Sequence, residues 1–185
     1  MAYPKLCEGN RVWTSVLGNN VQPDDYNEMN DQLKGMLGPL EVALPLISAN
    51  QDESFANPWY LRVALGYLAW QSQAATSHSL YMPLGTLRVG QKITSINVVV
   101  RGSAAGGSIV LYSQDVDTSP ASPASVVTFS ADPWDTSGAF ENYVGTIGGG
   151  SFTVSSHTHY YLSFTPTGST VCYVLGGYYT VQFGN

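Results

Sequence analysis

The chain after residue 78 consists of short β-prone segments separated by turn residues, and this pattern constrains the fold more than any other feature. About eight segments rich in Val, Ile, Thr, Tyr and Phe alternate there with stretches of Gly, Pro, Ser and Asp, without intervening helical periodicity. Such spacing is typical of an antiparallel β-sandwich of jelly-roll type. The predicted strands are Leu80–Leu84, Lys92–Arg101, Ser108–Ser113, Ser125–Ser130, Phe140–Ile147, Ser151–Ser155, His159–Thr165 and Val171–Phe183.

Alternation of apolar and polar residues assigns faces to these strands. In Lys92–Arg101, Ile96, Val98 and Val100 fall on one face and polar residues on the other, which predicts a half-buried strand. Two consecutive glycines, Gly176 and Gly177, interrupt the last segment and predict a bulge or bend. We expect the apolar residues of that segment to share one face, namely Val171, Tyr173, Leu175, Tyr179, Val181 and Phe183.

The N-terminal part contains a well-marked helix signal. Pro23 suits the first turn of a helix, and the acidic residues after it favour the positive end of the helix dipole. An apolar stripe at three- and four-residue spacing follows, and Gly38 with Pro39 ends the pattern. The sequence therefore predicts a helix over Pro23–Leu37, with its stripe formed by Tyr26, Met29, Leu33 and Met36 or Leu37.

The segment from residue 57 to 72 is apolar nearly all round and supports two interpretations. Trp59, Val63, Tyr67 and Trp70 share a helical face, so we expect a second helix here, although strand alternation also fits parts of the segment. In either form the segment must be buried. A polar stretch over 71–78 resembles a linker. The predicted fold class is thus mainly β, with one or two N-terminal helices before a C-terminal antiparallel β-sandwich.

Charge is scarce, and this scarcity excludes several classes of protein. Charged residues make up 11% of the 185 residues and the net charge is −6, against about 25% charged in an average soluble protein. Seven Lys and Arg residues are too few to bind a nucleic-acid backbone by counterion release. At 44% the hydrophobic fraction excludes an ordinary disordered tail. We expect much of this weakly charged surface to be covered by partner chains or sister subunits.

Signals for export, membrane insertion or covalent cross-linking are not recognisable in the sequence. The first residues contain no apolar leader region. The longest strongly apolar stretch, Trp59 to Trp70, contains Arg62 and is too short to span a bilayer. Cys7 and Cys172 have no spacing typical of a disulfide framework or zinc site, so we expect two free thiols. These observations favour synthesis in a cytosol without membrane insertion.

Catalytic and metal motifs are weak, so we expect no enzymatic activity and no cofactor. The carboxylate pairs Asp115 with Asp117 and Asp132 with Asp135 lie in Ser- and Pro-rich segments, where aspartates usually stabilise turns. His157 and His159 are spaced to share one face of a strand and are weak metal-ligand candidates, and Asp115 with Asp117 could contribute to a calcium site. No carboxylate or thiol follows the two histidines at close spacing, which favours solvated or interface histidines instead.

Aromatic residues are the better candidates for binding. Trp134 lies in an Asp-Pro-Trp-Asp loop, and several tyrosines fall opposite the apolar faces of the predicted strands. Exposed Trp and Tyr rings suit stacking on sugars and contacts with proteins, because they offer large area with few rotatable bonds. Burial in the core or between subunits is the alternative for the same residues. The candidate glycan or receptor contacts are Trp134, Tyr112, Tyr143, Tyr161 and Tyr178.

The sequence resembles virion proteins of tailed bacteriophages. The opening stretch combines Trp13 with Val21-Gln-Pro-Asp-Asp-Tyr-Asn27 and Met29-Asn-Asp-Gln-Leu33, which is similar to the N-terminal pattern of such proteins. The later Met82-Pro-Leu-Gly85, Ile93-Thr-Ser-Ile96 and Tyr160-Tyr-Leu162 resemble their jelly-roll domains. The similarity covers about 25 N-terminal and about 100 C-terminal residues, and the apolar segment 39–70 has no counterpart in the pattern.

The resemblance implies a role and a domain division. Residues 1–75 would form an attachment or oligomerisation segment that docks through Trp13, Tyr26, Met29 and Leu33, and residues 79–185 would form the exposed sandwich. The protein would be a head fibre, decoration protein, tail fibre or spike, commonly a homotrimer, made in the host cytoplasm and located in the virion. Its partners would be capsid or tail proteins, and a host glycan in addition. The alternative is a stand-alone carbohydrate- or receptor-binding module.

Overall fold

The chain folds into two antiparallel β-sheets packed face to face. The computed structural model describes residues 38–51, 59–64, 67–72, 78–102, 106–117, 122–129, 133–134, 136–167 and 171–182. Its strands are β1 (Leu40–Ala43), β2 (Asn50–Gln51), β3 (Trp59–Ala64), β4 (Tyr67–Ser72), β5 (Leu80–Pro83), β6 (Lys92–Arg101), β7 (Gly107–Asp115), β8 (Ala124–Thr128), β9 (Glu141–Val144), β10 (Thr146–Ile147), β11 (Phe152–Thr153), β12 (Thr158–Pro166) and β13 (Tyr173–Gln182). The mainly β sandwich predicted from the sequence is thereby confirmed.

Strand order distinguishes the two sheets. A seven-stranded sheet has the order β11-β6-β13-β4-β3, with β1 also paired to β13 and β9 to β6. A six-stranded sheet has the order β10-β8-β7-β12-β5-β2. The predicted strand Phe140–Ile147 is split, because β9 pairs with β6 while β10 pairs with β8 in the other sheet. Short 3₁₀ turns occupy Leu46–Ser48 and Gly148–Gly150, and no helix among the described residues is long and apolar enough to cross a membrane.

The core lies between the sheets and is built by alternation. On the six-stranded sheet the buried apolar side chains alternate along the strands, with Leu80 and Met82 on β5, Ile109 and Leu111 on β7, and Tyr160, Leu162 and Phe164 on β12. On the seven-stranded sheet alternation holds for most of β6 and β13. Ile96, Val98 and Val100 are fully buried, as the alternation of β6 predicts. Among the largest fully buried side chains are Trp59, Trp134, Phe164, Leu80, Met82, Leu111 and Leu162.

A helix over 57–72 is wrong: the described part of this segment forms β3 and β4, paired antiparallel from Trp59 opposite Ser72 to Ala64 opposite Tyr67. β4 then pairs with β13 through Gln71 and Trp70. The aromatic spacing that suggested a helical face belongs to two strands running in opposite directions.

The sandwich includes residues assigned above to the N-terminal segment. β1 pairs with β13, starting with Leu40 opposite Val181, and β2 pairs with β5. The sheets therefore extend back to residue 40 within the described part of the chain. The predicted helix Pro23–Leu37 lies outside the described residues, and the attachment role of the N-terminal segment stays a prediction.

The bulge predicted at Gly176 and Gly177 is confirmed, but the face assigned to β13 is only half right. The register between β13 and β6 shifts between Val174 and Gly176. Val174 is fully buried before the bulge, while Tyr179 and Val181 are buried after it. A bulge adds one residue and so reverses the alternation, which places Tyr173 and Leu175 on the outer face instead of the core.

Candidate functional site

Three tyrosines stand side by side on the outer face of the six-stranded sheet. β5, β12 and β7 are neighbours there, with Tyr161 directly opposite Tyr112 and Ser163 opposite Tyr81. The tyrosines alternate with core residues along their strands and therefore point outward. The buried neighbours are Leu80, Met82, Leu111, Tyr160 and Leu162. The ring centroid of Tyr161 lies 5.8 Å from the ring centroid of Tyr81 and 5.8 Å from that of Tyr112. We refer to Tyr81, Tyr161 and Tyr112 as the tyrosine row.

The packing of the row affects its central hydroxyl. Desolvation raises the pKa of Tyr161 above its usual value, and the neighbouring phenols of Tyr81 and Tyr112 raise it further. The raised pKa of Tyr161 keeps this central phenol neutral at physiological pH, so its hydroxyl can both donate and accept a hydrogen bond.

Small hydroxyl side chains continue the same face beyond the tyrosine row. The Ser79 and Thr165 hydroxyl oxygens are 2.6 Å apart, and those of Ser163 and Thr165 are 3.3 Å apart. Ser163 lies on β12 two residues after Tyr161, so it shares its face. Ser163 itself is buried, so Ser79 and Thr165 supply the partly accessible hydroxyl groups on this face.

Beside the tyrosine row, on the side away from Ser163 and Thr165, lies a cavity of about 600 Å³. Its lining comprises Tyr81 and Tyr161, strand residues Gln114 and His159, and residues from the loops around 85–89 and 154–157. Among the described residues that line it, none is Asp, Glu, Lys or Arg, and two are the histidines His157 and His159. Its volume falls in the range of small-molecule sites, and its described lining combines apolar residues with polar Ser, Asn, Thr, Gln and His side chains.

An ion-pair geometry borders this cavity. His157 Nδ1 lies 2.5 Å from Asp117 Oδ2, with both side chains exposed. His157 has a φ of 53°, and its carbonyl accepts a hydrogen bond from the Val116 amide at 2.9 Å. The Asp115 carboxylate accepts the Asp117 amide hydrogen at 3.0 Å, a local turn of the kind expected from the sequence. These contacts hold the β7 end and the turn before β12 together at the cavity rim.

Metal ligation finds no support in the described part of the chain. His157 directs Nδ1 to Asp117, and His159 is exposed on β12. No three His, Cys, Asp or Glu side chains there are grouped so that they could hold a metal ion. Asp132 and Asp135 lie outside the described residues.

Trp134 was predicted to be an exposed loop residue, and this prediction is wrong. Its side chain is fully buried, with its ring centroid 6.3 Å from that of Trp59. Thr136 draws the loop inward, because its hydroxyl donates to the Gly102 carbonyl at 2.8 Å and accepts from the Gly102 amide at 3.0 Å. Trp134 therefore presents no ring face to a ligand.

The other predicted contacts divide between the two sheets. Tyr112 and Tyr161 belong to the tyrosine row, whereas Tyr143 and Tyr178 lie on β9 and β13 of the seven-stranded sheet. Tyr143 packs partly against the core and donates to Glu141 Oε2 at 3.1 Å. Tyr81 was missed, although its position between Leu80 and Met82 marks it as outward-facing. The docking candidates Trp13, Tyr26, Met29 and Leu33 lie outside the described residues.

Comparison with known proteins reveals likeness of fold without close relatives. No protein-family model and no curated protein matches the sequence. The CBM22-1 and GH10 modules of an endo-1,4-β-D-xylanase from Clostridium thermocellum, complexed with xylohexaose, match with a TM-score of 0.51 at 12% identity, over 77% of this chain and 27% of that one. A family 6 carbohydrate-binding module from Clostridium cellulolyticum in complex with xylose matches with a TM-score of 0.49 at 14% identity, over 76% and 95%. The first likeness supports the β-sandwich fold and nothing finer.

Proposed function

We propose that the protein is a non-enzymatic binding module for an uncharged polysaccharide and that the tyrosine row is its contact surface. The observation that carries this proposal is the row itself, three adjacent outward tyrosines on one sheet beside a cavity whose described lining contains no Asp, Glu, Lys or Arg. It corresponds to the stand-alone carbohydrate-binding alternative of the sequence analysis. Solved carbohydrate-binding modules with a similar sandwich are consistent with it.

The chemistry of the face suits sugars. Aromatic rings offer apolar surface to the C–H faces of pyranose rings, and phenol, hydroxyl and amide groups serve sugar hydroxyls. Gln114 and His159 supply such polar groups within the cavity. The described lining offers hydroxyl, amide and imidazole groups rather than Asp, Glu, Lys or Arg, and an uncharged glycan suits this chemistry.

A glycan array tests this proposal. We expect the wild-type chain to bind uncharged glycans, with xylose-containing chains as the first probes, and Tyr161→Ala to weaken binding about tenfold through lost stacking. Tyr178→Ala is the matched control, because Tyr178 is a half-buried tyrosine on the other sheet. Absence of binding to any uncharged glycan would reject the proposal, as would equal loss in both variants.

A place in a phage virion is a second candidate function, which we propose on the sequence resemblance alone. The part of the N-terminal segment that precedes β1 would then anchor the chain to capsid or tail proteins, and the tyrosine row would face the host surface. Its direct test is whether particles assembled with a chain lacking residues 1–37 still contain the protein. Retention of the truncated chain at wild-type level would exclude anchoring through Trp13, Tyr26, Met29 and Leu33.

A further inference from the structure

β3 is an edge strand that lacks the usual protection against pairing. It ends the order of the seven-stranded sheet, and among the described residues it pairs only with β4. Natural edge strands are blunted by prolines, bulges, inward charges or short length. β3 has six residues, contains no proline and pairs with β4 without a register shift. Its single charged residue, Arg62, donates from Nη1 to Gln71 Oε1 at 2.8 Å inside the hairpin.

Apolar side chains on β3 are open to solvent. Val63 is 78% exposed and Leu61 is 40% exposed. They share a face with Trp59, which is buried at the start of the same strand. On the opposite face Tyr60 is 37% exposed beside Arg62. An open strand edge with exposed apolar residues on one face is typical of a surface that another strand covers.

The hairpin of β3 and β4 is held against the sheet by aromatic contacts, so its edge is presented in a fixed form. The Tyr67 ring at the hairpin end contacts Phe140 edge-on at 5.2 Å between centroids. The Arg101 guanidinium lies 5.6 Å from the Phe140 centroid and 5.4 Å from that of Tyr173. A preorganised edge loses less conformational entropy on association than a mobile one.

We propose that β3 pairs antiparallel with β3 of a second copy of this chain, around a twofold axis at Leu61. Twofold pairing is isologous, so the register follows from the residue on the axis. Centring on Arg62 would set two guanidinium groups opposite each other, which is unfavourable. Centring on Leu61 sets Leu61 against Leu61, and Arg62 against Tyr60 on the outer face. Val63 then lies opposite the backbone of Trp59, whose ring is buried in the core.

The register centred on Leu61 gives more favourable contacts between the two β3 strands than the registers centred on adjacent residues. It allows five residues, 59–63, to pair in each copy and creates two arginine–tyrosine contacts of the cation–π type. Centring on Tyr60 or Val63 leaves only three residues of β3 in each copy to pair. The resulting interface is small, so we expect a concentration-dependent dimer of low affinity.

Dimerisation through β3 goes beyond the proposed binding function. The tyrosine row lies on the six-stranded sheet, whereas β3 ends the seven-stranded sheet, so each copy keeps its row. Two rows in one particle would bind a polysaccharide with avidity. Dimerisation is tested independently of glycan binding, because the experiments below measure only the association between copies of the chain.

Disulfide trapping tests the register. In a Cys7→Ser background, Leu61→Cys places two thiols directly opposite each other, at a Cα separation of about 4.5–5.5 Å that permits a disulfide. Val63→Cys is the matched control, because in this register the two introduced thiols are about 13 Å apart along the strands. We expect rapid oxidative dimer formation with Leu61→Cys only. Preferential cross-linking of Val63→Cys, or of neither variant, would overturn the proposal.

Sedimentation velocity tests the association without cross-linking. We expect the apparent mass of the wild type to rise with concentration from that of one chain towards that of two. We expect Val63→Lys to raise the dissociation constant of the dimer at least about tenfold, because dimer formation would bury the lysine charge. Val144→Lys is the control, because Val144 is another exposed valine on β9, and it should leave association unchanged. A strictly monomeric or trimeric wild type would contradict the proposal, as would equal effects of the two substitutions. Circular dichroism verifies that both variants fold.

Discussion

At the scale of single residues, two buried tryptophans differ in one hydrogen bond. Trp59 Nε1 donates to the His78 carbonyl at 2.8 Å. Trp134 Nε1 is equally buried, but no described residue accepts its hydrogen. A buried donor without an acceptor costs free energy that a paired one does not. Sequence reasoning could not find this difference, because it depends on how Thr136 fixes the loop on Gly102.

Substitution of these tryptophans by phenylalanine should reveal the difference. Trp59→Phe loses a hydrogen bond together with packing, whereas Trp134→Phe loses packing but also removes an unpaired polar group. We expect Trp59→Phe to lower the free energy of unfolding by about 1 kcal/mol more than Trp134→Phe. Urea denaturation measures both values. A larger loss for Trp134→Phe would mean that its indole has a partner important to stability.

The Cys172 thiol is predicted to be inert in the folded protein. Burial raises the pKa of Cys172 from 9.0 to about 11, although a hydrogen bond with Ser72 opposes this shift. The thiolate is the reactive form, so a disulfide reagent at pH 8 should modify Cys172 only after unfolding. Rapid modification of Cys172 in the folded chain, located by mass spectrometry of the peptides, would contradict the buried position.

The same shift predicts a pH dependence of stability. Because the folded-state pKa of Cys172 lies above the unfolded one, its contribution is complete below pH 9 and is lost as the pH rises towards about 11. We expect the free energy of unfolding to fall more steeply over this range in the wild type than in Cys172→Ala. Parallel pH profiles for the two proteins would show that Cys172 does not titrate as described.

At the scale of strands, the sequence predicts which segments form strands better than it predicts which face of each strand is buried. The strands after residue 78 were located from alternation and turn residues, and β6 agrees to the residue. β3 and β4 were not identified, because closely spaced aromatic residues fit a helix and a hairpin equally. β13 shows a further limit, since its bulge was predicted but the consequence for side-chain direction depends on where the register shifts.

The bulge itself provides a prediction at this scale. A Cβ added to Gly177 would clash with the Asn97 carbonyl and lie 2.9 Å from Val98 Cα, whereas one added to Gly176 meets nothing within 4 Å. Gly176 has a φ of 129°, so alanine there is strained but not blocked. We expect Gly177→Ala to destabilise the fold by about 3 kcal/mol and Gly176→Ala by about 1 kcal/mol. Thermal unfolding of both variants gives the comparison, and equal losses would refute it.

At the scale of the whole molecule, the two outer faces of the sandwich have different characters. The six-stranded sheet carries the tyrosine row, hydroxyl groups and the cavity. The seven-stranded sheet carries Arg101 between two rings and the open edge at β3. Tyr112 and Tyr161 were predicted as contacts because alternation identifies outward positions. That they join Tyr81 could not be predicted, because the order of strands in a sheet is not a property of local sequence.

The central claim is that the tyrosine row binds an uncharged polysaccharide, and affinity electrophoresis tests it most directly. Native gels containing a panel of uncharged polysaccharides, xylan among them, separate the wild type, Tyr161→Ala and Tyr178→Ala. We predict that at least one polymer retards the wild type and Tyr178→Ala alike, while Tyr161→Ala migrates nearly as in a polymer-free gel. Wild-type mobility unchanged by every polymer, or retardation that survives Tyr161→Ala, would contradict the claim.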